Sequence, residues 1–358
     1  MKIEYASAWV GIAERNPVVA AVDALLRGTG QVMFQNNPLT GLLFLIGIFV
    51  NSPRFGGAAL MGVATSTLAA WLLGADRALI RNGLFGFNGV LTGIGLAFFL
   101  QLDALLIVYI MLGAAVSTVV MLALVNLLGP WDMPALTAPF VITTWLLLFA
   151  VYQFGFLAPT ELISPTALDP LAQTQTALRP LATGARGAGL TLANLANGFF
   201  RGVGEVMFQD NLLSGVIFLL AILISSRISF VFAALGSAVG MLTALALGAD
   251  GFSVYHGLFG FNAVLCAIAL GGLFFVLTWK SAIYALVAAV MGSVAFAAIA
   301  VLLSPLGMPA LTAPFVLVTW LFLLPKAGFR ALRPVPLAEV TTPEKIRASF
   351  ALRQAAAQ

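Results

Sequence analysis

Long apolar runs separated by short polar breaks dominate the pattern of this chain. Charge-free runs mark the spans, and many of them are long enough to cross the hydrocarbon core of a bilayer, which takes roughly 20 apolar residues as a helix. The longest run is long enough for two passes. Adding the segments near 18–50 and 189–224 predicts about ten crossings. The charge-free runs include 55–75, 82–102, 104–131, 133–160, 228–249, 251–279 and 281–325.

Several of these runs are interrupted by glycine and proline, for example GLFGFNGVLTGIG at 83–95. Such residues at membrane depth favour short or broken helices that are shielded inside the protein. The fold class predicted from the pattern is an all-α integral membrane protein. Composition agrees, because 61% of the residues are hydrophobic and only 8% are charged, against about 25% charged in a soluble domain.

Three motifs occur twice in the same order, which indicates a duplication. VMFQ at 32–35 returns at 206–209, LFGFN at 84–88 returns at 258–262, and MPALTAPFV at 133–141 returns at 308–316. The first two pairs are 174 residues apart and the third is 175 apart, so one residue is inserted in the second copy. We predict a first membrane repeat over 1–158, a linker over 159–188, a second repeat over 189–328 and a basic tail over 329–358.

Orientation follows from the number of crossings and from the basic tail. If each repeat holds about five spans, the second enters the membrane upside down, and inverted repeats of this kind place a transport site at their interface. The excess of lysine and arginine in the tail predicts a cytoplasmic C-terminus, and an even number of spans puts the N-terminus on the same side. The start of the chain lacks the apolar stretch and cleavage site of a secretory signal.

The repeated motifs place polar and aromatic residues together. Gln31 and Phe34 are three residues apart, as are Glu205 and Phe208, so each pair would share one face if the chain were helical there. The pairs Phe87 and Leu91, and Phe261 and Leu265, are spaced by four and have the same property. Thr137 and Thr312 precede Ala-Pro, and proline keeps nearby carbonyls from closing a regular helix. Those carbonyls are predicted to face a cavity.

Two inverted copies of these groups predict a narrow slot with flat apolar walls and oxygen acceptors along one edge. Such a slot suits a small, flat, neutral solute with several N–H donors, because the oxygens replace the water that the solute loses. Glu205 is the intramembrane ionisable residue that most strongly indicates function; the alternative is a structural pair with Arg201 one turn earlier. The phenylalanines could equally face lipid or core, and the threonines could bond within their own helices.

The two copies of GQVMFQNNPLTG, LFGFNGVLTG and MPALTAPF resemble the urea transporter family, especially its single-domain bacterial members. The resemblance covers most of residues 18–325. It implies passive, channel-like urea transport, ten spanning helices with two tilted re-entrant segments, a pore in each protomer of a homotrimer, and a bacterial inner membrane. Urea and membrane lipids are the implied partners, and no cofactor is implied. The implied substrate-binding residues are Gln31, Val32, Phe34, Phe87, Leu91, Thr137, Glu205, Val206, Phe208, Phe261, Leu265 and Thr312.

By the same resemblance, Gln31 and Glu205 hydrogen-bond urea at opposite ends of the filter, and the two threonines face its midpoint. Asn82 in the first copy becomes His256 in the second, and neither position belongs to the inferred slot. A glutamine both donates and accepts, whereas an ionised glutamate only accepts, so the two ends would meet urea differently.

Other membrane functions require residues that can be looked for in the sequence. An ammonium channel calls for paired pore histidines, and the chain has one histidine. An aquaporin calls for two Asn-Pro-Ala motifs, and the chain has Asn-Pro-Val and Asn-Pro-Leu. An ion-coupled transporter with Glu205 as a proton site, and a channel for ammonia or small amides, remain alternatives. A membrane enzyme lacks any acid–base–nucleophile constellation.

Overall fold

A computed structural model describes residues 11, 15–163 and 191–356, and within these residues every regular element is a helix. The predicted linker lies mostly outside the described residues. Between residues 16 and 163, the first repeat contains seven α-helices: α1 Pro17–Gln31, α2 Pro38–Asn51, α3 Pro53–Leu72, α4 Arg77–Arg81, α5 Gly86–Phe99, α6 Ala104–Leu128 and α7 Ala138–Val151.

From residue 191 to residue 356, the second half contains seven helices in the same order, followed by one more. They are α8 Leu192–Gly204, α9 Leu212–Ser225, α10 Arg227–Ala246, α11 Gly251–Tyr255, α12 Phe261–Ile268, α13 Trp279–Leu303, α14 Ala313–Leu323 and the C-terminal α15 Pro343–Ala356. Helix α12 continues directly into a π-helical turn at Ala269–Leu273.

Helix length separates two kinds of apolar element in the described chain. Four helices are long and apolar enough to cross a membrane, at Pro53–Leu72, Ala104–Trp131, Arg227–Ala246 and Trp279–Leu306, and Leu192–Met207 with Leu212–Ser225 forms a pair bent by 73°. Other apolar helices are shorter; α5, for example, has 14 residues and a length of about 21 Å. The structure is that of a membrane protein, and the predicted short, broken helices in the glycine-rich runs are confirmed.

Matching backbone features show that the two repeats fold alike. Asn37 and Asn211 each cap the N-terminus of the helix that follows, α2 and α9, with the side-chain oxygen. Phe34 and Phe208 both adopt the left-handed conformation, with φ of 62° and 60°, as do Leu136 and Leu311, with φ of 54° and 51°. A bulky residue with positive φ is a strained exception, so finding it twice at matched positions indicates a conformation that both copies need.

The inserted residue of the second repeat is accommodated in the π-turn. Thr160 donates its backbone N–H to the Phe99 carbonyl, and Val335 donates in the same way to the Phe274 carbonyl, so Phe99 and Phe274 are equivalent at a separation of 175. The preceding motif is still separated by 174. The extra residue therefore lies between 262 and 274, where the Phe274 N–H bonds to Ala269 five residues earlier. A π-turn absorbs one residue without ending the helix.

The two repeats meet along α2 and α9, which run antiparallel. The rings of Phe44 and Phe218, equivalent residues, lie 5.0 Å apart. On one side the Thr40 hydroxyl donates to the Ala221 carbonyl at 2.8 Å, and on the other the Ser214 hydroxyl donates to the Gly47 carbonyl at 2.7 Å. Equivalent residues thus exchange equivalent bonds, which is the pattern that a two-fold relation generates.

Candidate functional site

The polar motif that follows α1 and α8 forms a tight break in the chain. Helix α1 ends at Gln31, and the Gln35 N–H turns back to bond the Gly30 carbonyl. A Cβ added at Gly30 would lie 2.3 Å from the Gln35 carbonyl oxygen, and one added at Gly204 would lie 2.4 Å from the Gln209 oxygen. Glycine is needed at both positions because the returning backbone approaches so closely.

This break corrects the prediction that Gln31 and Phe34, and Glu205 and Phe208, share one helical face. Gln31 is the last residue of α1, and Glu205 starts a short 3₁₀ turn after α8. Both phenylalanines then have positive φ. The spacing argument failed because it assumed a continuous helix, whereas the polar residue and the ring are placed by the turn.

The two polar ends have unequal surroundings. The Gln31 amide donates to the Asn82 backbone carbonyl at 3.0 Å, and Asn36 donates to the Asn82 side chain at 2.9 Å. Asn82 therefore flanks the predicted site through its contact with Gln31, which agrees with its being left out of the slot itself. Arg27, one turn before Gln31, bonds to Asp23 and Asn36 instead of Gln31.

At the second end, His256 takes the place of Asn82 and forms an ionic cluster beside Glu205. Asp210 accepts from Arg201 at 2.7 Å and lies 2.6 Å from His256 Nδ1. The Arg201 guanidinium also lies over the Tyr255 ring, 4.5 Å from its centroid. The Arg201 guanidinium is therefore hydrogen-bonded to Asp210 and not to Glu205, although its charge still interacts with the Glu205 carboxyl group. The alternative of a structural pair with Arg201 stays a prediction. In the part of the chain that the structure describes, the Glu205 carboxylate accepts no hydrogen bond.

Inward from these ends, the predicted apolar residues are buried. Val32 and Val206 are each 1% exposed, and Leu91 and Leu265 are fully buried. Phe87 and Leu91 lie together on α5, and Phe261 and Leu265 on α12, so the spacing of four is helical in both copies. Helix α1 packs on α5, and the turn at Glu205 packs on α12. Each polar end is thus joined to the apolar pair of its own repeat.

The rings of Phe34 and Phe208 are held by phenylalanines of the opposite repeat. Phe34 packs edge to face against Phe274 and Phe315, with centroids 5.9 and 6.1 Å away. Phe208 packs in the same way against Phe99 and Phe140, at 6.0 and 6.1 Å. Such pairs each contribute about 0.5–1.5 kcal/mol beyond their burial.

These supporting rings were missed from the sequence, although two of them close the repeated MPALTAPF motif. Phe34 and Phe208 are each partly exposed, whereas Phe140 and Phe315 are fully buried. Phe34 and Phe208 therefore lie at a partly exposed surface, and the buried rings of Phe140 and Phe315 pack behind them. No ring pair among Phe34, Phe87, Phe208 and Phe261 is in stacking contact in the described structure.

At the centre, the two repeats meet through their threonines. The hydroxyls of Thr137 and Thr312 are 2.6 Å apart, and each residue is 3% exposed. Each threonine immediately precedes a helix, α7 or α14, so the N-termini of these two helices face the same point. The structure thus brings together the two residues that the sequence placed at the midpoint.

The carbonyls before these threonines leave the helical pattern, as predicted, and two of them accept hydrogen bonds from tryptophan side chains. Trp320 donates to the Pro134 carbonyl and Trp145 to the Pro309 carbonyl, both at 2.8 Å. These reciprocal bonds cross between the repeats and lock the two threonine segments together.

A buried asparagine in each LFGFN motif organises the same segment, and sequence reasoning did not single it out. The Asn88 side-chain oxygen accepts from the Phe140 N–H at 3.1 Å, and Asn262 accepts from Phe315 at 3.0 Å. Each amide nitrogen is also within 3.4 Å of the carbonyl of the left-handed leucine, Leu136 or Leu311. The first N–H groups of a helix lack partners inside it, so these side chains satisfy the first turns of α7 and α14. The sequence did contain a signal for them, because the asparagine occurs in both copies of the LFGFN motif.

Comparison with known proteins agrees with the repeated motifs. The family model described as "Urea transporter" matches residues 22–327. Urea transporter 1 of Ovis aries is 34% identical over 329 residues, which are 91% of this chain and 82% of that protein. Urea transporter 1 of Mus musculus is 34% identical over 339 residues, 94% of this chain and 85% of that protein. Since the match spans both repeats and the whole site built above, this chain belongs to the urea transporter family.

Proposed function

We propose that the chain conducts urea passively, along a path that runs from Gln31 to Glu205 past the Thr137–Thr312 pair. The observation that carries this proposal is the central hydroxyl pair, where two helix N-termini of opposite repeats meet between two apolar, ring-lined segments. The family is one of transporters, and the protein is not an enzyme.

Urea is flat and neutral, with one carbonyl oxygen and four N–H donors. Removing it from water without replacing its hydrogen bonds costs roughly 2–7 kcal/mol per polar group. A path must therefore offer acceptors at its ends and middle, and apolar walls between them exclude hydrated ions. Along the proposed path the residues are polar at the ends, apolar further in and hydroxyl-bearing at the centre. This order supports the selection of urea over hydrated ions.

The proposed filter residues divide into three groups by role. Gln31 and Glu205 receive urea from water at opposite ends, and Thr137 and Thr312 offer hydroxyl oxygens at the midpoint. The walls are proposed to be Val32, Phe34, Phe87 and Leu91 of the first repeat, with Val206, Phe208, Phe261 and Leu265 of the second.

The two ends are proposed to treat urea differently. The Gln31 amide is engaged with the Asn82 carbonyl through its nitrogen, which leaves its oxygen to accept from urea. The Glu205 carboxyl group accepts no hydrogen bond from the described residues and is partly exposed, so it is free to accept from urea N–H groups. Arg201, one turn before Glu205, is directed to Asp210.

We further propose that the repeats are inverted in the membrane. The antiparallel pairing of α2 and α9 supports this, because a two-fold axis that relates antiparallel helices lies perpendicular to them. If these helices run along the bilayer normal, the axis lies in the membrane plane. We also propose that the chain crosses the membrane about ten times with re-entrant segments and has both termini in the cytoplasm. It would form a homotrimer in a bacterial inner membrane.

The test is urea flux into proteoliposomes that contain the purified protein, measured by stopped-flow light scattering. We expect saturable flux that follows the urea gradient, is unaffected by proton or sodium gradients, and is inhibited by thiourea or dimethylurea. Protein-free liposomes are the control. Flux that requires either ion gradient would replace the channel with an ion-coupled transporter, and flux no faster than that of empty liposomes would refute the proposal.

A further inference from the structure

The C-terminal segment 334–350 is seated on the π-turn that holds the inserted residue. Gly272 in this turn has φ of 149°, a conformation that suits glycine. A Cβ added at Gly272 would lie 2.9 Å from Cβ of Pro343. Pro343 is itself buried. Because glycine has no side chain, the C-terminal segment can approach the π-turn closely at Gly272.

Glu344, the next residue, ties the segment to the start of α10. Its carboxylate accepts from the Ser226 hydroxyl at 2.9 Å and from the Ile228 N–H at 3.0 Å. A carboxylate at a helix N-terminus meets unsatisfied N–H groups and the positive end of the helix dipole. Two residues after Glu344, Ile346 is 2% exposed and packs with Val276 and Val335. Polar and apolar contacts thus fix α15 at one place.

In the first repeat, a side chain of the repeat itself makes a contact at the equivalent position. Arg54 occupies the position equivalent to Ile228, and its guanidinium donates to the Leu100 carbonyl. In the second repeat, isoleucine cannot make that bond. The Glu344 carboxylate instead reaches α10 from the C-terminal segment, so this segment replaces an internal contact of the first repeat.

The same segment is directly bonded to a residue that supports the proposed filter. Val335 donates its N–H to the Phe274 carbonyl at 2.9 Å, and Val276 donates to the Arg333 carbonyl at 2.9 Å. The Phe274 ring packs edge to face on Phe34, with centroids 5.9 Å apart. A continuous set of contacts therefore runs from the C-terminal segment through Phe274 to Phe34 of the other repeat.

We propose that the segment 334–350 is a clamp that sets the position of Phe274, and through it the width available to solute beside Phe34. Glu344 and Pro343 are positioning residues, since they act through Phe274 and do not contact the solute. This inference rests on the proposed function, because it assigns to Phe34 a place on the urea path. Without the clamp, the π-turn loses the surface that opposes it, and Phe274 is free to move away from Phe34.

The experiment compares methylurea with urea permeability in proteoliposomes for Glu344→Ala, for Glu344→Gln and for the wild type. Glu344→Ala is expected to raise the methylurea-to-urea ratio by about twofold or more, the size of effect typical of a change along a coupled network. Glu344→Gln keeps one carbonyl oxygen for Ser226 and Ile228 and is expected to restore the ratio. Glu339→Ala is the matched control, because Glu339 pairs only with Arg353 at the surface among the described residues.

Trypsin sensitivity at the exposed Lys345 and Arg347 reports independently whether α15 has left its seat. Ile346→Asn provides a second way to release it, through the apolar contact. Release of α15 by both variants with an unchanged permeability ratio would overturn the clamp, as would a changed ratio in Glu339→Ala. A wild-type protein that conducts no urea would instead refute the proposed function, so the two failures are distinguishable.

Discussion

The central threonine pair gives the sharpest test of the proposed path. In the described structure the Thr137 and Thr312 side-chain hydroxyls are each other's only hydrogen-bond partner, at 2.6 Å, and both residues are nearly buried. Replacing either by valine removes one hydroxyl at similar shape and leaves the other without a partner. An unsatisfied buried polar group costs about 1–3 kcal/mol. Each single variant should therefore lose stability by that amount.

The double variant separates the two roles of these hydroxyls. With both gone, no polar group is left unsatisfied, and the free energy of unfolding should return close to that of the wild type. Urea flux should behave differently, because each hydroxyl offers the solute a separate hydrogen bond at the midpoint. Losing one bond of about 1 kcal/mol slows permeation roughly fivefold, and losing both slows it roughly 30-fold.

Two measurements decide the outcome. Thermal unfolding of the purified protein gives the stability of the four proteins of the cycle, and stopped-flow urea flux into proteoliposomes gives permeability. Ser117→Ala is the control, because Ser117 is buried but bonds only within its own helix, to the Ala114 carbonyl. The reasoning is refuted if the double variant is as stable as the wild type and conducts urea at the wild-type rate.

Three further predictions concern Glu205 at one end of the proposed path, the buried Asn262 that supports α14, and the close helix contact at Gly41. Glu205→Leu should abolish urea flux whereas Glu205→Gln keeps part of it, since glutamine still offers one acceptor oxygen; wild-type flux in the leucine variant would remove Glu205 from the path. Asn262→Leu should cost about 1–3 kcal/mol in thermal unfolding, because the buried Phe315 N–H loses its acceptor; an unchanged melting temperature would contradict this. Gly41→Ala should strongly destabilise the protein, since the new Cβ would lie 1.7 Å from the Leu26 carbonyl oxygen. The control Gly57→Ala meets no atom within 4 Å, so its stability should be unchanged or rise by up to about 1 kcal/mol. Equal melting temperatures for the two variants would show that the close approach at Gly41 is absent.

Sequence reasoning worked best where a motif occurred twice. The helical spacing of Phe87 and Leu91 held because that run is a true helix, and the equivalent residues Thr137 and Thr312 contact each other. Their place at the midpoint of a path stays a prediction. Sequence reasoning failed at Gln31 and Phe34, where a spacing of three falls on a break in the chain. A separation of three indicates a shared face only if the backbone stays helical, and the sequence pattern did not reveal the left-handed residue.

By itself, the sequence determined the membrane class, the duplication and the family, because hydrophobicity and repeated motifs are properties of residues in order along the chain. Only the tertiary structure decided which residues support the site. The rings behind Phe34 and Phe208 come from the opposite repeat, and the Trp320 donor reaches Pro134 across 186 residues. Contacts of this kind depend on how two folded units pack together, and packing complementarity leaves little periodic trace in a single repeat.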